Sequence, residues 1–392
     1  MSRILVCGTG CCLMDRIYAK VDFSAPAFVR YRSRRPGDGG LDPGRLTLEG
    51  DLESFSGRRF PEMLPEITAG AAPDAENIGG PAIVALIHAA QMCRQDAAVR
   101  FYGCRGDDTV GVTLRGLLEN TPVDLSGYMV RPGLETPSTT VLSDPLADGG
   151  HGERTFVNTV GAAETYGPDD VDPSFYEGDV CVFGGTALVP LVHSGLGKML
   201  AEARRRGGLT VVNTVYDFIS ERKDPGGRWP LGNSDEAYPL VDLLIADKEE
   251  ALRLSGTDSI PDAVGFFRAK GVGAVVVTAG ADPVWLWSGG RRLVASEVAT
   301  MPVSKALAEA WKQPSRRGDS TGCGDNFAGG VIASIASQSA SGVLKPDLEE
   351  ACRLGIVSGG FAGLYYGGTW MEKEPGEKHR LLKPYYEQYL IQ

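Results

Sequence analysis

Histidine is scarce in this chain, with four in 392 residues, all far apart in sequence. The eight cysteines, Cys7, Cys11, Cys12, Cys93, Cys104, Cys181, Cys323 and Cys352, include no C-x-x-C pair. Zinc centres and disulfide scaffolds need such groups at short, regular spacings, so neither fits, and reduced thiols in a cytoplasmic protein are the expectation. No basic run offsets a formal charge of -11, which argues against a nucleic-acid or anionic-membrane surface. Any positive field for an anionic substrate then has to be local, from backbone amides and a bound cation. No window of about 18 apolar residues is present, so no membrane helix is expected. The start MSRILVCGTG also lacks the charged start and long apolar stretch of a signal peptide.

What is present is a hydrophobic content of 43%, enough for a substantial core. Short apolar runs of buried-strand type occur at Ile4 to Cys7, Val99 to Tyr102, Val180 to Phe183, Thr210 to Val212, Leu243 to Ala246 and Ala274 to Thr278. Helical periodicity marks Ala82 to Arg94, Thr109 to Asn120, Leu188 to Arg206, Glu249 to Ser255 and Ala263 to Lys270. Such alternation predicts an α/β fold with a mainly parallel sheet covered on both faces and ligands at the carboxyl ends of the strands. Two phosphate-loop imitations fail. GTGCCL has Leu13 where a dinucleotide fingerprint needs its third glycine, and Gly197-Lys198 lacks both the first glycine and the following Ser/Thr of a P-loop.

The most informative run is GDSTGCGDNFAGG, Gly318 to Gly330. Gly322 and Gly324 allow a bend with exposed N–H groups at a helix N-terminus, which favours an anion. Asp325 in the first turn is then placed to accept a proton from an attacking hydroxyl while the amides of Gly322, Cys323 and Gly324 receive phosphoryl charge. The structural alternative is an ordinary bend capped by Asp319, Ser320 and Asp325.

That run resembles the C-terminal signature of the ribokinase-like (PfkB) carbohydrate kinase family. Four further segments resemble the family in order: Asn77 to Gly111 (NIGGPAIVALIHAAQMCRQDAAVRFYGCRGDDTVG), the stretch after Gly152-Glu153-Arg154, Asp242 to Gly256 (DLLIADKEEALRLSG), and VVVTAGADPVWLW. The resemblance implies a three-layer α/β/α kinase spanning 1-392 with a mainly parallel central sheet and a small β lid, formed by about 16-76 and 128-160. It implies ATP as donor, Mg2+ ordered through water by Asp247 and Glu250, and Thr278 and Gly280 beside the nucleotide. Asp15, Gly79 and Gly80 would hold the acceptor, with Asn77 and Asn158 as polar groups near it and Asn213 as a third. Asp319 stands at the family's cation-loop position, where it either helps hold a monovalent cation such as K+ or caps the bend.

Departures from the family pattern carry information. Val84 replaces a common sugar-contacting Asn, Pro81 and Leu13 replace polar residues, and the pocket is expected to be less polar than one for ribose. Asp247 stands for the usual Asn and Cys323 for the usual Ala; the thiol reads as a packing group. For a phosphorylated acceptor, Arg105, Arg131 or Arg154 would serve. The leading reading is phosphoryl transfer from ATP to a hydroxymethyl group of a sugar or sugar-like alcohol. The alternatives are a nucleoside (adenosine-type) kinase, with Phe28, Tyr31 or Phe55 stacking on the base, and a catalytically idle binding module. Between Val21 and Asn77 only Phe28 to Tyr31 and Leu46 to Leu48 look like strands. The remainder is expected partly in the lid, a homodimer contact being one use, with a partly unstructured insertion over Ser33 to Pro43 as the alternative.

Overall fold

The computed structural model describes residues 3–35, 37–147, 152–313 and 318–392. Its strands are β1 (Ile4–Gly10), β2 (Leu13–Tyr18), β3 (Leu46–Leu48), β4 (Ala75–Gly79), β5 (Ala97–Gly106), β6 (Asp124–Arg131) and β7 (Ser138–Asp144). There follow β8 (Glu153–Thr159), β9 (Val180–Gly184), β10 (Leu209–Asn213), β11 (Leu243–Asp247), β12 (Ala274–Ala279), β13 (Asp282–Ser288) and β14 (Ser296–Met301). Nine form one sheet in the order β14-β13-β12-β11-β10-β9-β1-β5-β6, and five form a smaller one, β3-β8-β7-β2-β4. From β12 to β6 the large sheet is parallel; β13 and β14 extend it by antiparallel pairing.

Alternate side chains of the large sheet feed two cores, as a period of two requires. Val182, Val211, Ile245 and Val276 pack with the helices Pro81–Met92, Cys323–Ala340 and Leu348–Ala362. Phe183, Val212, Leu244 and Val277 pack against Leu196–Arg205, Lys248–Ser255 and Ile260–Ala269. Helix Cys323–Ala340 lies close against its neighbours because of two glycines. A Cβ on Gly329 would come within 2.4 Å of Ala85 O, and one on Gly330 within 2.9 Å of Gly355 Cα.

Three expectations need correction. Phe28 to Tyr31 is not a strand but part of helix Pro26–Tyr31: Pro26 opens it, and Phe28 and Tyr31, three residues apart, share its buried face. Leu188 to Arg206 is not one helix. Pro190–Ser194 and Leu196–Arg205 are separated at Gly195, where a Cβ would meet Pro168 Cγ at 2.2 Å. Of the insertion between Val21 and Asn77, only Leu46–Leu48 and the start of β4 join the small sheet. Helices Pro26–Tyr31, Glu49–Ser56 and Phe60–Ile67 instead cover its outer face, burying Phe28, Tyr31, Leu52, Phe60 and Met63 against Tyr18, Leu142 and Val157.

The small sheet also starts at Leu13, ahead of residue 16, and residues 128–131 lie in the large sheet on β6. Ser33 to Pro43 is held by local bonds: Ser33 N donates to Leu41 O at 2.8 Å, and the Asp38 carboxylate accepts from the amides of Arg34, Arg35 and Gly40. Pro36 in that stretch, like 148–151 in the expected lid, lies outside the described residues.

Candidate active site

The bend before helix Cys323–Ala340 is shaped by backbone contacts that only glycine permits. A Cβ on Gly318 would fall 2.0 Å from Tyr365 O. Gly322 is left-handed at φ 73°, with Gly368 Cα 2.4 Å from where its Cβ would stand. The segment therefore lies flat on the 363–369 loop, joined by Gly318 N to Gly363 O at 3.0 Å and Asp319 N to Tyr365 O at 3.2 Å. The Asp319 carboxylate accepts from Thr321 N at 3.0 Å and Gly367 N at 3.3 Å, so it braces the bend. Cys323 N reaches back to Ser320 O at 3.3 Å, and Gly324, exposed, has open space around it. First-turn amides of a helix have no intrahelical acceptor, so this end presents donors. The Cys323 thiol is pushed up to about 12 by burial and by Asp319 and Asp325, which leaves it protonated and packing.

Asp325 sits half-buried in that first turn. Desolvation pushes it up to about 6, opposed by the nearby side-chain amide of Asn213 at the end of β10, whose buried Nδ2 makes no hydrogen bond. Asp15 lies across from it on β2, pushed up to about 7 by desolvation first, then by Asp325 and Asp319. A carboxyl on the small sheet that feels another at a helix N-terminus marks the cleft between them. Gly79 makes room for this: a Cβ there would be 2.2 Å from Asp15 Oδ2. Gly80, at φ 103°, passes so close to Cys11 O that a Cβ would lie 2.7 Å from it.

Strand register extends the site along the small sheet. Asn77, Asp15, Thr139 and Asn158 are successive cross-strand partners, so they form one row on the face that Asp15 turns to the cleft. Asn77 Oδ1 accepts from Ile78 N at 2.8 Å, and its amide nitrogen lies against Gly367. Asn158 is buried within the sheet, donating to Thr139 Oγ1 at 3.0 Å. The next row on the same face is apolar: Ile17, Val141 and Phe156. Beyond it Arg154 reaches across the cleft, its Nη1 3.3 Å from Thr321 Oγ1 and 3.7 Å from Asp319 Oδ2.

Of the other candidate arginines, Arg131 pairs with Asp170 and Arg105 donates to its neighbour Gly106 O. Phe28 and Tyr31 lie in the outer core with Phe55 packed against them, so none faces the cleft; Phe156 lies on the face that does. Val84 is 2% exposed and packs on Gly368.

Asp247, Thr278 and Gly280 line one open cavity of about 390 Å³, shared with Lys248, Leu252 and Arg253. Asp247 and Glu250 cap each other: Glu250 N donates to Asp247 Oδ1 at 2.8 Å and Asp247 N to Glu250 Oε2 at 3.2 Å. Thr214, just past β10, donates to Glu250 Oε2 at 2.5 Å. Burial and the adjacent Asp247 push Glu250 up, a strain that a cation would relieve. An all-oxygen pair of this kind fits Mg2+ held through water. Among the described residues no group of three or more His, Cys, Asp or Glu would cage a metal unaided. Sequence reasoning missed Thr214 and Thr139. A polar Asn-Thr pair at the end of the short buried strand LTVVN was the available signal for the first, and register alone reveals the second.

The description "pfkB family carbohydrate kinase" matches residues 73–373. Fructokinase of Vibrio alginolyticus is 26% identical over 270 residues, covering 66% of this chain and 76% of that protein. Adenosine kinase of Schistosoma mansoni, solved with 2-fluoroadenosine, superposes with a TM-score of 0.71 at 17% identity, covering 95% of this chain and 98% of that one. A ribokinase II-type protein of E. coli, solved with ATP and Mg2+, gives 0.64 at 17% identity over 99% and 100%. The fold is thus ribokinase-like, and because the family match runs through well over half of the sequence, this protein belongs to the PfkB family of carbohydrate kinases and is a phosphotransferase with an alcohol acceptor.

Proposed function

We propose that the chain, 1-392 as one kinase unit, transfers the γ-phosphoryl group of ATP to a hydroxymethyl group of a sugar or sugar-like alcohol, with the small sheet as lid. The observation that carries this reading is Asp325: a carboxyl with its proton affinity raised toward neutrality, at an amide-presenting helix N-terminus, facing Asp15 across the cleft. Asp15 accepts hydrogen bonds from acceptor hydroxyls, with Gly79 and Gly80 giving close approach and Asn77 and Asn158 bordering it. Asp325 accepts the proton of the attacking hydroxyl at its carboxylate. The amides of Gly322 and Gly324, with that of Cys323 once it gives up its long bond to Ser320 O, receive the charge that builds on the phosphoryl oxygens. Thr278 and Gly280 flank the nucleotide, and Asp247 and Glu250 hold the water shell of Mg2+, which when bound neutralises phosphate charge.

Asp319 is spent on bracing the bend, and a monovalent cation such as K+ would share its second oxygen with Arg154. ATP as donor and eight free thiols support a cytoplasmic setting. A homodimer through the lid would use its edge strands β3 and β4, because helices cover the outer face.

One observation favours a nucleoside acceptor as a second reading: the apolar row Ile17, Val141 and Phe156 beside the polar row suits a planar base next to a ribose. ADP release measured across sugars, sugar acids, sugar phosphates and nucleosides, with Asp325→Asn alongside, tests both. Acceptor-dependent turnover reduced about 10²-fold or more in the variant is expected; wild-type turnover in the variant would remove Asp325 from the mechanism, and none with any acceptor would favour the idle binding module.

A further inference from the structure

The phosphoryl-transfer scheme leaves one buried charge without a task. Lys378, on helix Glu377–Leu390, is 1% exposed. Among the described residues its Nζ has no carboxylate partner; it donates to Asn326 Oδ1 at 2.7 Å and the Tyr365 hydroxyl at 3.2 Å, and lies 5.5 Å from the centre of the Tyr365 ring. The nearby acid Glu372 is occupied by Arg94 and by the backbone N–H of Lys378. Burial pulls the ammonium down toward about 7, with Glu372 opposing. A lysine held this way costs stability that an apolar side chain of similar size would not.

Its partner Asn326 follows Asp325 directly and is fully buried. Asn326 Nδ2 donates to Gly322 O and to Gly368 O, both at 2.8 Å. Those two bonds clamp the left-handed glycine of the bend to the loop beneath it. They exist in one amide orientation only. Turned over, Asn326 would aim its oxygen at two carbonyls and its NH2 at an ammonium. Tyr365, which also donates to Asn326 Oδ1 at 3.2 Å, favours the same orientation more weakly than a charged donor does.

We infer that Lys378 is a positioning residue for phosphoryl transfer: it locks the Asn326 amide so that Gly322 stays clamped to Gly368 and the amides at the head of helix Cys323–Ala340 stay aimed at the phosphate. This rests on the kinase reading above. No atom of Lys378 touches substrate; its effect passes through Asn326 to the backbone, so it belongs to the step in which charge develops and not to binding.

The test compares wild type, Lys378→Met and Asn326→Asp by kcat, both KM values, melting temperature, and affinity for ADP with aluminium fluoride, a mimic of the transferring phosphoryl group. For Lys378→Met the expected result is an unchanged or raised melting temperature and a kcat lower by about 10- to 100-fold. Its KM values should stay within about threefold of wild type, and the tightening of ADP by fluoride should be lost. Asn326→Asp keeps an ionic partner for Lys378 but has no donor for Gly322 O or Gly368 O, so it should fold and lose at least as much kcat. A folded Lys378→Met with wild-type kcat and fluoride affinity overturns the inference. If Lys378→Met does not fold, a folded Asn326→Asp with wild-type kcat overturns it instead. A wild-type protein that turns over no acceptor overturns the kinase reading and this inference together, whereas failure of the inference alone appears only against an active wild type.

Discussion

Asp325, Asp15 and Glu250 are carboxyls whose proton affinity is raised in the fold, and this has opposite consequences for rate and for stability. A general base acts deprotonated, so kcat should fall as pH drops through about 6, where Asp325 takes its proton. For stability, a raised folded pKa contributes most below the unfolded value and is lost as pH rises through the folded one. Ligand-free Asp325→Asn should therefore melt above wild type at pH 8, with the gap closing toward pH 4; a gap that widens on acidification would contradict the assigned shift. Asp325 and Asp15 were legible because their types and places match a known pattern. Arg154 was legible only as one of three arginines, since nothing in its local sequence says that it alone spans the cleft to Thr321. Asn326 and Lys378 are 52 residues apart and meet only through tertiary packing.

The bend and helix around Gly322 show how an element carries function through its backbone. At φ 73°, with Gly368 Cα 2.4 Å from a hypothetical Cβ, Gly322→Ala combines backbone strain of about 1 kcal/mol or more with a direct clash. The expected outcome, checked by steady-state kinetics and thermal melting, is a loss in kcat greater than the change in either KM. The central strands and the helix Thr109–Glu119 were readable because their apolar periods are clean and, for the helix, because Asp108 caps it at Gly111 N. Phe28 to Tyr31 was misread because four residues cannot distinguish a strand from one helical turn. β2 escaped notice since its LMDRIY alternates only weakly, although it carries Asp15. Helices Leu348–Ala362 and Glu377–Leu390 were not anticipated. Pro384 inside the second interrupts the usual helical signal, and its amphipathic pattern is broken by the buried Lys378.

Across the whole molecule, β2 and β4 of the small sheet are packed into the main core through Met14 and Ile78, while its far side is tied across the cleft by a few polar contacts: Arg154 to Asp319 and Thr321, and Arg222 of helix Phe218–Lys223 to Asp51 of the insertion. Partly exposed pairs of this kind are screened by salt. Arg154→Ala should lower kcat/KM for the acceptor by about tenfold and raise acceptor-free ATP hydrolysis, because a lid that closes loosely admits water. Coupled ADP-release assays at low and high salt would show it, and an unchanged variant would mean that closure rests on other contacts. Strand and helix alternation foreshadowed the large parallel sheet and the family resemblance implied the small one, but the helical layer over the lid was not foreseen, since a Pro-, Gly- and Arg-rich insertion gives no long period to read. That layer changes what a local error would do. Asp15 points into the cleft while, on the opposite face of β2, Tyr18 is buried under that layer and Met14 in the main core. A one-residue slip of β2 would drive a carboxylate toward the apolar interior and put a thioether where hydroxyls should bind. The greasy outer side of the lid thus acts as a proofreader for the catalytic side: a chain that pairs in the wrong frame cannot close its core, so misaligned enzyme is discarded by folding before it can meet a substrate.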